Sequence, residues 1–544
     1  MTTATSNGTP STGATGAGAA RSTDRSWVPD PVEVPDTQAA LAAVREVIDA
    51  GPFTDTWESL ADYEVPDWFR DAKFGIFIHW GAYSVPAFGN EWYPRNMYKA
   101  GTKEHAHHRE VYGDHTEVGY KDFLPRFTME QFDPAGMAQL FRRAGAQFLV
   151  PVAEHHDGLA MYDEPRTRWD VTKVGPGRDV LGEVLGACDD QWITRGASSH
   201  RAEHWFFFHP GRSFPSDVRD DADFADLYGP AMPQATGPSE AYLEDWLLRT
   251  VRIIDHYRPQ VLWFDWWIEH PAFEPYRRML AAYYYNRAAQ WGRGVVIQYK
   301  WDAFEPGTAV LDVERGGMAD VQERPWQNDT SVSRTSWGWI EGHEWKSDVD
   351  LVGELVDVVA KNGCLLLNIG PKPDGTIPPE EVALLEQLGA WLELNGEAVY
   401  GTRPWRVAGE GPTSVPEGSF TDAASLGWTS SDLRFTQRTE VGQTALYAIG
   451  VERPEDGVVR IRALGSASPL AVRHLGDVHL IGHPKRLEVR RTEDALEVVL
   501  PSPLPARVEA VPGFAVRVVL PDPAAPAPRT LLNAEGEGEH ESGG

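Results

Sequence analysis

Cysteine and basic residues are scarce in this sequence, and both shortages narrow the class of protein. Only Cys188 and Cys364 occur among 544 residues, so no disulfide framework can hold the fold and a reducing compartment is expected. Lysine and arginine number 50 against 80 aspartate and glutamate, a net charge of −30. Such an acidic surface argues against nucleic acid or an anionic membrane as the main partner.

Long apolar runs are also missing. None reaches the roughly 18 residues of a membrane span, and no basic segment followed by an apolar one marks a secretory signal. We therefore expect a cytoplasmic protein with no membrane partner. Residues 1–35 are predicted to be a disordered N-terminal tail, since residues 1–24 have few large apolar side chains, and residues 526–544 an acidic disordered tail.

Aromatic residues, by contrast, are plentiful, with 21 tryptophans and 17 tyrosines. A large aromatic core explains many of them. Aromatic faces also suit sugar-binding clefts, because flat rings pack against the apolar C–H faces of pyranoses. The abundance is compatible with a carbohydrate ligand and does not establish one.

Between the tails, the pattern of the chain changes once. Residues 36–404 alternate short apolar strands with amphipathic helices, which predicts an α/β fold with a (β/α)8-like barrel. Residues 405–525 hold only short strand-like runs separated by turns, which predicts a C-terminal all-β sandwich without helices. The eight predicted barrel strands are Phe74–His79, Phe148–Ala153, Arg195–Ser199, Val261–Phe264, Val295–Tyr299, Ala309–Val313, Ser336–Trp339 and Cys364–Ile369. The gap between the fifth and sixth is too short for a full helix, so an irregular barrel is expected.

Polar residues follow at least six of these strands where each one ends. In a barrel the carboxyl ends of all strands converge on one face, where active sites are built. Histidines, carboxylates and tryptophans at so many strand ends predict a site on that face. The candidates from the strands and the loops beside them are His79, Glu91, Trp92, His155, His156, His200, Trp263, Asp265, Lys300, Glu314 and Trp337.

Asp265 and Glu314 are the candidate catalytic pair. Asp265 lies between an apolar strand and two tryptophans, where a carboxylate needs partners or a function. Glu314 follows two strands later and can face Asp265 across a pocket, as two carboxyl groups do in glycosidases. Asp312 lies on the same side of the same strand, so periodicity does not choose between Asp312 and Glu314.

A metal site is the weaker interpretation of the histidines. His155 and His156 are adjacent and reach one metal only if their strand has already ended. No His-x-His pair on a strand completes such a site, so hydrogen bonding to substrate hydroxyls is favoured and no metal is expected. His105, His107 and His108 lie in a polar stretch and are expected to be solvated.

Several motifs together resemble α-L-fucosidases of glycoside hydrolase family 29. They are Trp68–Gly81 (WFRDAKFGIFIHWG), Glu91-Trp92-Tyr93, His155-His156-Asp157-Gly158, Trp263-Phe264-Asp265 and Asn362–Pro371 (NGCLLLNIGP). The resemblance implies a retaining exo-glycosidase that releases terminal α-L-fucosyl residues from glycans or glycosides by double displacement, without a cofactor. It also implies a catalytic barrel followed by a β-sandwich.

The resemblance assigns roles residue by residue. Asp265 becomes the nucleophile; His79, His155 and His156 would bind fucose hydroxyls, while Trp92 and Trp263 line the pocket. Three features depart from the family pattern. Ser198-Ser199-His200 stands where many members have tyrosine, Lys300 replaces a common arginine, and the acid/base position varies, so Glu91 is an alternative to Glu314.

Two other functions stay open from the sequence. The chain could be a non-catalytic fucose-binding protein, against which the presence of both carboxylates argues. It could also be a metal-dependent barrel hydrolase that uses His155 and His156, which loss of activity with a chelator would indicate. Linkage preference and the aglycone are not readable, and a homo-oligomer stays open.

Overall fold

The computed structural model of the protein describes residues 25–521, and the remainder of both predicted tails lies outside the described residues. Residues 25–35, assigned to the N-terminal tail by composition, pack on the barrel instead. The ring of Trp27 lies 5.8 Å from that of Phe224, and Arg25 pairs with Asp221 and Asp223. One tryptophan and one arginine thus anchor a segment that is otherwise polar.

The first eight strands form a closed parallel barrel in chain order, β1 pairing with both β2 and β8. This confirms the predicted barrel. Its strands are β1 Phe74–Ile78, β2 Phe148–Glu154, β3 Thr194–Ser199, β4 Val261–Phe264, β5 Val296–Tyr299, β6 Val310–Glu314, β7 Trp326–Ser331 and β8 Gly363–Ile369. Parallel pairing in register places their carboxyl ends on one face.

Helices alternate with most of the barrel strands and flank them along the chain. The chain forms α1 Thr37–Ala50, α2 Trp57–Leu60, α3 Asp67–Ala72, α4 Tyr93–Asn96, α5 Lys103–Val111, α6 Pro134–Arg143, α7 Val180–Asp190, α8 His204–Phe207, α9 Asp217–Asp220, α10 Glu240–Tyr257, α11 Glu274–Trp291, α12 Asp348–Ala360, α13 Pro379–Asn395 and α14 Ala506–Glu509. The described residues between β5 and β6 contain no helix, as the short gap predicted. Within residues 25–521, no helix combines the length and apolarity that a bilayer crossing requires.

The seventh barrel strand lies elsewhere than predicted. It is Trp326–Ser331, whereas the predicted segment Ser336–Trp339 forms a loop after it. Five of the six residues of this strand are polar and all six are buried, because their side chains pair inside the barrel: Asp329 accepts from Lys300 and Gln327 hydrogen-bonds Gln298. A search for apolar runs cannot find such a strand.

The C-terminal region contains two antiparallel sheets, which confirms the predicted sandwich. Five strands are ordered β13-β16-β11-β10-β9 and three are ordered β12-β15-β14. They are β9 Arg403–Glu410, β10 Leu433–Glu440, β11 Gln443–Gly450, β12 Val458–Ile461, β13 Val478–Leu480, β14 Val489–Arg491, β15 Leu496–Val499 and β16 Phe514–Pro521. Strand β9 spans the boundary placed between residues 404 and 405, and the short helix α14 was not predicted.

The polar stretch of three histidines is only partly solvated. His108 is completely buried in α5, and its ring nitrogens lie 3.2 Å from the Tyr93 hydroxyl and 2.9 Å from the Val118 carbonyl oxygen. The expectation that all three are solvated is therefore wrong for His108. Composition around a helix does not reveal which of its faces is covered.

Candidate active site

A cavity of about 290 Å³ opens at the carboxyl ends of the barrel strands. Ten of the eleven predicted site residues line it, and Lys300 does not. The cavity is lined by His79, Asn90, Glu91, Trp92, His155, His156, His200, Glu203, Trp263, Asp265, Trp266, Glu314, Arg315, Asp329, Arg334, Thr335, Ser336, Trp337 and Phe420. Residues on or just after strands β1, β2, β3, β4, β6 and β7 thus meet loop residues at one place.

Asp265 follows β4 and is held by hydrogen bonds to both carboxylate oxygens. His200 Nδ1 donates to Oδ2 over 2.8 Å, and the Trp266 backbone N–H donates to Oδ1 over 2.8 Å. Burial alone would raise the pKa of Asp265, but the hydrogen bond donated by His200 and the nearby positive charge of Lys300 outweigh it and hold the pKa below its ordinary value. Asp265 is therefore ionised at neutral pH, as a nucleophile must be.

Of Ser198, Ser199 and His200, which lie at the end of the third strand where many family members have tyrosine, His200 is the residue that lines the cavity. Since a carboxylate only accepts, His200 Nδ1 carries a proton. Its Nε2 lies 2.9 Å from the Ser198 hydroxyl, which can donate to it. His200 is thus oriented from both sides and fixes Asp265 in turn.

Neighbouring histidines present acceptor nitrogens toward the cavity. His156 Nδ1 faces the backbone carbonyl of His200 at 2.8 Å and must donate, leaving Nε2, 3.5 Å from Asp265 Oδ2, as the acceptor of a neutral ring. Burial lowers the pKa of His156 to about 4, so the ring is neutral at pH 7. His79 is arranged alike: its Nδ1 bonds Asn368 Oδ1 at 2.7 Å. Such nitrogens can accept hydrogen bonds from hydroxyl groups of a ligand.

Glu314 ends β6 and has the opposite electrostatic environment. Burial and the negative charge of Asp265 raise the pKa of Glu314, opposed by Lys300 and by a hydrogen bond from Trp266. Trp266 Nε1 donates to Glu314 Oε2 over 2.7 Å, so one tryptophan contacts both carboxyl groups through its backbone and its ring. Two carboxyl groups with pKa values shifted apart can serve as base and acid in one reaction.

The three carboxylates that the sequence left open have different surroundings in the structure. Asp312 lies below the cavity, where Lys300 Nζ pairs with it at 2.7 Å and Trp263 Nε1 donates to it over 3.2 Å. Glu91 reaches the cavity, but its Oε2 accepts from the Trp337 backbone N–H over 2.9 Å and thereby positions that tryptophan. Glu314 is the carboxyl group of this set that combines cavity exposure with a raised pKa.

Lys300, one of the candidate site residues, lies beneath the cavity and does not line it. Its side chain is completely buried, and Nζ bonds Asp312 at 2.7 Å and Asp329 at 2.5 Å while lying 3.6 Å from Glu314 Oε2. All three donors of an ammonium group are oriented by these carboxylates. Lys300 therefore neutralises the carboxylates around it below the cavity.

The histidines come closer together than the sequence indicated. Among the described residues, His79, His155 and His200 form one group with ligand atoms within 4.8 Å of one another, and His156, His200 and Asp265 form another. Three different strands bring them together, which strand-by-strand spacing could not reveal. Four of the eight ring nitrogens are hydrogen-bonded to protein atoms, namely Nδ1 of His79, His156 and His200 and Nε2 of His200, whereas the buried Nδ1 atom of His155 lacks a protein partner.

Comparison with known proteins places this site in a family. Residues 40–397, more than half of the chain, match the family model described as alpha-L-fucosidase. The chain belongs to the α-L-fucosidase family. The tissue alpha-L-fucosidase of Rattus norvegicus is 30% identical over 82% of this chain and 88% of its own length. This membership confirms the resemblance found in the motifs and identifies a glycoside hydrolase.

Solved structures of other α-L-fucosidases agree. The Thermotoga maritima alpha-fucosidase in complex with fucose has a TM-score of 0.67 and 27% identity, covering 86% of this chain and all but 1% of its own. The same enzyme in complex with a mechanism-based inhibitor has a TM-score of 0.68 and 27% identity, over 86% of this chain and 99% of its own. Barrel and sandwich are therefore shared.

Several lining residues of this α-L-fucosidase family member escaped the sequence analysis. Trp266 stands next to Asp265, and its adjacency was a usable signal. Arg315 follows Glu314 in the same way. Phe420 had no such signal, because it comes from the loop between β9 and β10 in the C-terminal region. Only the folded chain brings that loop to the barrel.

Proposed function

We propose that the protein is a retaining exo-α-L-fucosidase that acts on terminal fucosyl residues of glycans or glycosides. Asp265 attacks C1 of the fucoside and forms a covalent glycosyl-enzyme, while Glu314 gives a proton to the leaving oxygen. Glu314 then takes a proton from water, which releases fucose from Asp265 with its configuration retained. The observation that carries this proposal is the pair of carboxyl groups on one cavity with oppositely shifted pKa values.

The surrounding groups suit a fucosyl ring. Neutral His79 and His156 offer acceptor nitrogens to hydroxyls, and Trp92 and Trp263 give the cavity apolar walls that suit the methyl group at C6. Relatives with the same fold include a structure in complex with fucose. These features support a fucosylated substrate, while the cytoplasmic location and the oligomeric state stay predictions.

The test uses an aryl α-L-fucoside with wild type, Asp265→Gly and Glu314→Ala. We expect Asp265→Gly to lose hydrolysis and, with azide, to form the fucosyl azide of inverted anomeric configuration. Glu314→Ala with azide should form the azide of retained configuration, because azide then intercepts the covalent intermediate. The matched control is Glu91→Ala, which should not yield the retained azide.

Each alternative has its own outcome in this experiment. A wild type that binds fucose and releases nothing from any fucoside would support a non-catalytic binding protein. Activity removed by a chelator and restored by a metal would support a metal-dependent hydrolase, for which the two histidine groups supply ligands. An Asp265→Gly variant with full activity would overturn the assigned nucleophile.

A further inference from the structure

The position of the general acid determines where the aglycone must lie, given the proposed function. A group that protonates the glycosidic oxygen lies within hydrogen-bond distance of it. The sugar or other group beyond that oxygen therefore leaves the cavity past Glu314. The side chains that flank Glu314 on the exposed side are those that the aglycone meets first.

Three aromatic side chains occupy that place. Trp266 donates its Nε1 proton to Glu314, and its ring centroid lies 6.2 Å from that of Trp301 and 6.5 Å from that of Phe420. The Phe420 ring is nearly parallel to that of Trp266, at 18°. Trp301 and Phe420 are 68% and 61% exposed, unusual for rings of this size. Together the three rings form an aromatic mouth beside the acid.

The loop that carries Phe420 is firmly attached to the barrel. The Phe420 backbone N–H donates to the Glu314 carbonyl oxygen over 2.8 Å, and Gly418 and Gly317 exchange two backbone hydrogen bonds of 2.9 and 3.1 Å. Asp422, two residues on, accepts from Lys346 over 2.7 Å. This arm of the C-terminal region is therefore fixed to the catalytic strand β6 itself.

Backbone geometry also marks the mouth as a built feature. Trp301 has a φ of 58° and Phe420 a φ of 60°, the left-handed region that side-chain-bearing residues rarely adopt. A bulky residue is strained there, and such strain is found where a particular side-chain position is needed. Burial does not offset this strain, because both rings face solvent.

We propose that Trp266, Trp301 and Phe420 form the binding surface for the pyranose ring that follows fucose in the substrate. Aromatic faces pack against the apolar C–H face of a sugar ring and desolvate it. Since Phe420 comes from the C-terminal region, that region completes the substrate site as well as covering the barrel. The proposal rests on the proposed fucosidase activity and names the chemistry of its aglycone as a neutral sugar.

The test compares two kinds of substrate that share fucose and differ in the aglycone. α-L-Fucosyl fluoride has no aglycone ring, whereas fucosyl disaccharides with α1,2, α1,3 and α1,4 linkages each carry one. The readout is kcat/KM for the best-cleaved disaccharide divided by kcat/KM for the fluoride. Trp301→Ala and Phe420→Ala should each lower this ratio roughly tenfold, the upper part of the range for one aromatic contact, and the double variant further.

Trp192→Ala is the matched control, because Trp192 is also an exposed tryptophan with a positive φ, but it precedes β3 at the opposite end of the barrel. Its ratio should equal that of the wild type. Trp266 is left intact because it bonds Glu314.

Ratios unchanged within twofold in both mouth variants would overturn the proposal, as would a wild type that cleaves the fluoride and none of the disaccharides. A wild type that cleaves neither kind of substrate would instead show that the proposed activity itself is wrong.

Discussion

The hydrogen bond between Trp266 and Glu314 gives the sharpest prediction for the pH dependence of catalysis. Trp266→Phe keeps an aromatic ring and the backbone donor to Asp265 but removes the Nε1–H that lies 2.7 Å from Glu314 Oε2. That donor stabilises the ionised form of Glu314 and so lowers its pKa. Without it, the pKa of Glu314 should rise.

The size of the effect follows from the strength of the lost bond. A hydrogen bond to a charged group contributes about 1.5–3 kcal/mol, and one pKa unit corresponds to about 1.4 kcal/mol. Because the same bond also stabilises protonated Glu314 in part, we expect a rise of about one unit. The general acid must be protonated, so the alkaline limb of the kcat/KM profile should move to higher pH.

The assay is hydrolysis of an aryl α-L-fucoside across pH 4–10 by the wild type, Trp266→Phe and Trp267→Phe. Trp267→Phe is the control, since the Trp267 ring packs 4.9 Å from that of Phe206 and makes no hydrogen bond to Glu314; its alkaline limb should match the wild type. An alkaline limb that stays in place or moves to lower pH in Trp266→Phe would refute the assignment of Glu314 as the acid.

Three further predictions concern buried charges. Lys300→Met should lower the free energy of unfolding by about 3–5 kcal/mol in urea titrations, because it leaves two buried aspartates without their cationic partner. The control Lys103→Met, at an exposed lysine, should change the free energy of unfolding by less than about 0.5 kcal/mol. Equal effects of the two substitutions would contradict this prediction. His200→Ala removes the hydrogen bond that lowers the pKa of Asp265, so the acidic limb of kcat/KM should move to higher pH, and an unmoved limb would contradict the role of His200. Burial raises the pKa of Glu381 to about 8, so the native state binds more protons than the unfolded state from about pH 4.5 to 8 and stability falls across that range. Glu381→Gln should flatten this fall in unfolding experiments at pH 5 and 8, and an unchanged slope would contradict it.

The sequence was most informative where apolar strands end in polar residues. Seven of the eight barrel strands were recognisable because their residues are buried on both faces. Asp265 stood out because a carboxylate between apolar neighbours requires a reason to be there. The seventh strand was misplaced, since its buried residues are polar and are satisfied only by partners such as Lys300 on other strands.

Site membership depended on contacts between distant parts of the chain. Asp312 and Glu314 lie on the same side of β6, yet Lys300 Nζ lies 2.7 Å from Asp312 and 3.6 Å from Glu314, which lines the cavity. Which of them reaches the cavity therefore depends on what lies across the barrel. His79 and His200 meet His155 only because strands β1, β2 and β3 are neighbours.

By itself, the sequence determined the barrel, the sandwich and the nucleophile candidate, because burial patterns and residue types at strand ends are local properties. The tertiary structure alone decided the protonation states, the role of Lys300 and the place of Phe420. All three depend on contacts between residues that are distant in the sequence. Such contacts determine how deeply a carboxyl group is buried, which charges face it and where a loop of the C-terminal region packs. The spacing of residues along the sequence does not specify them.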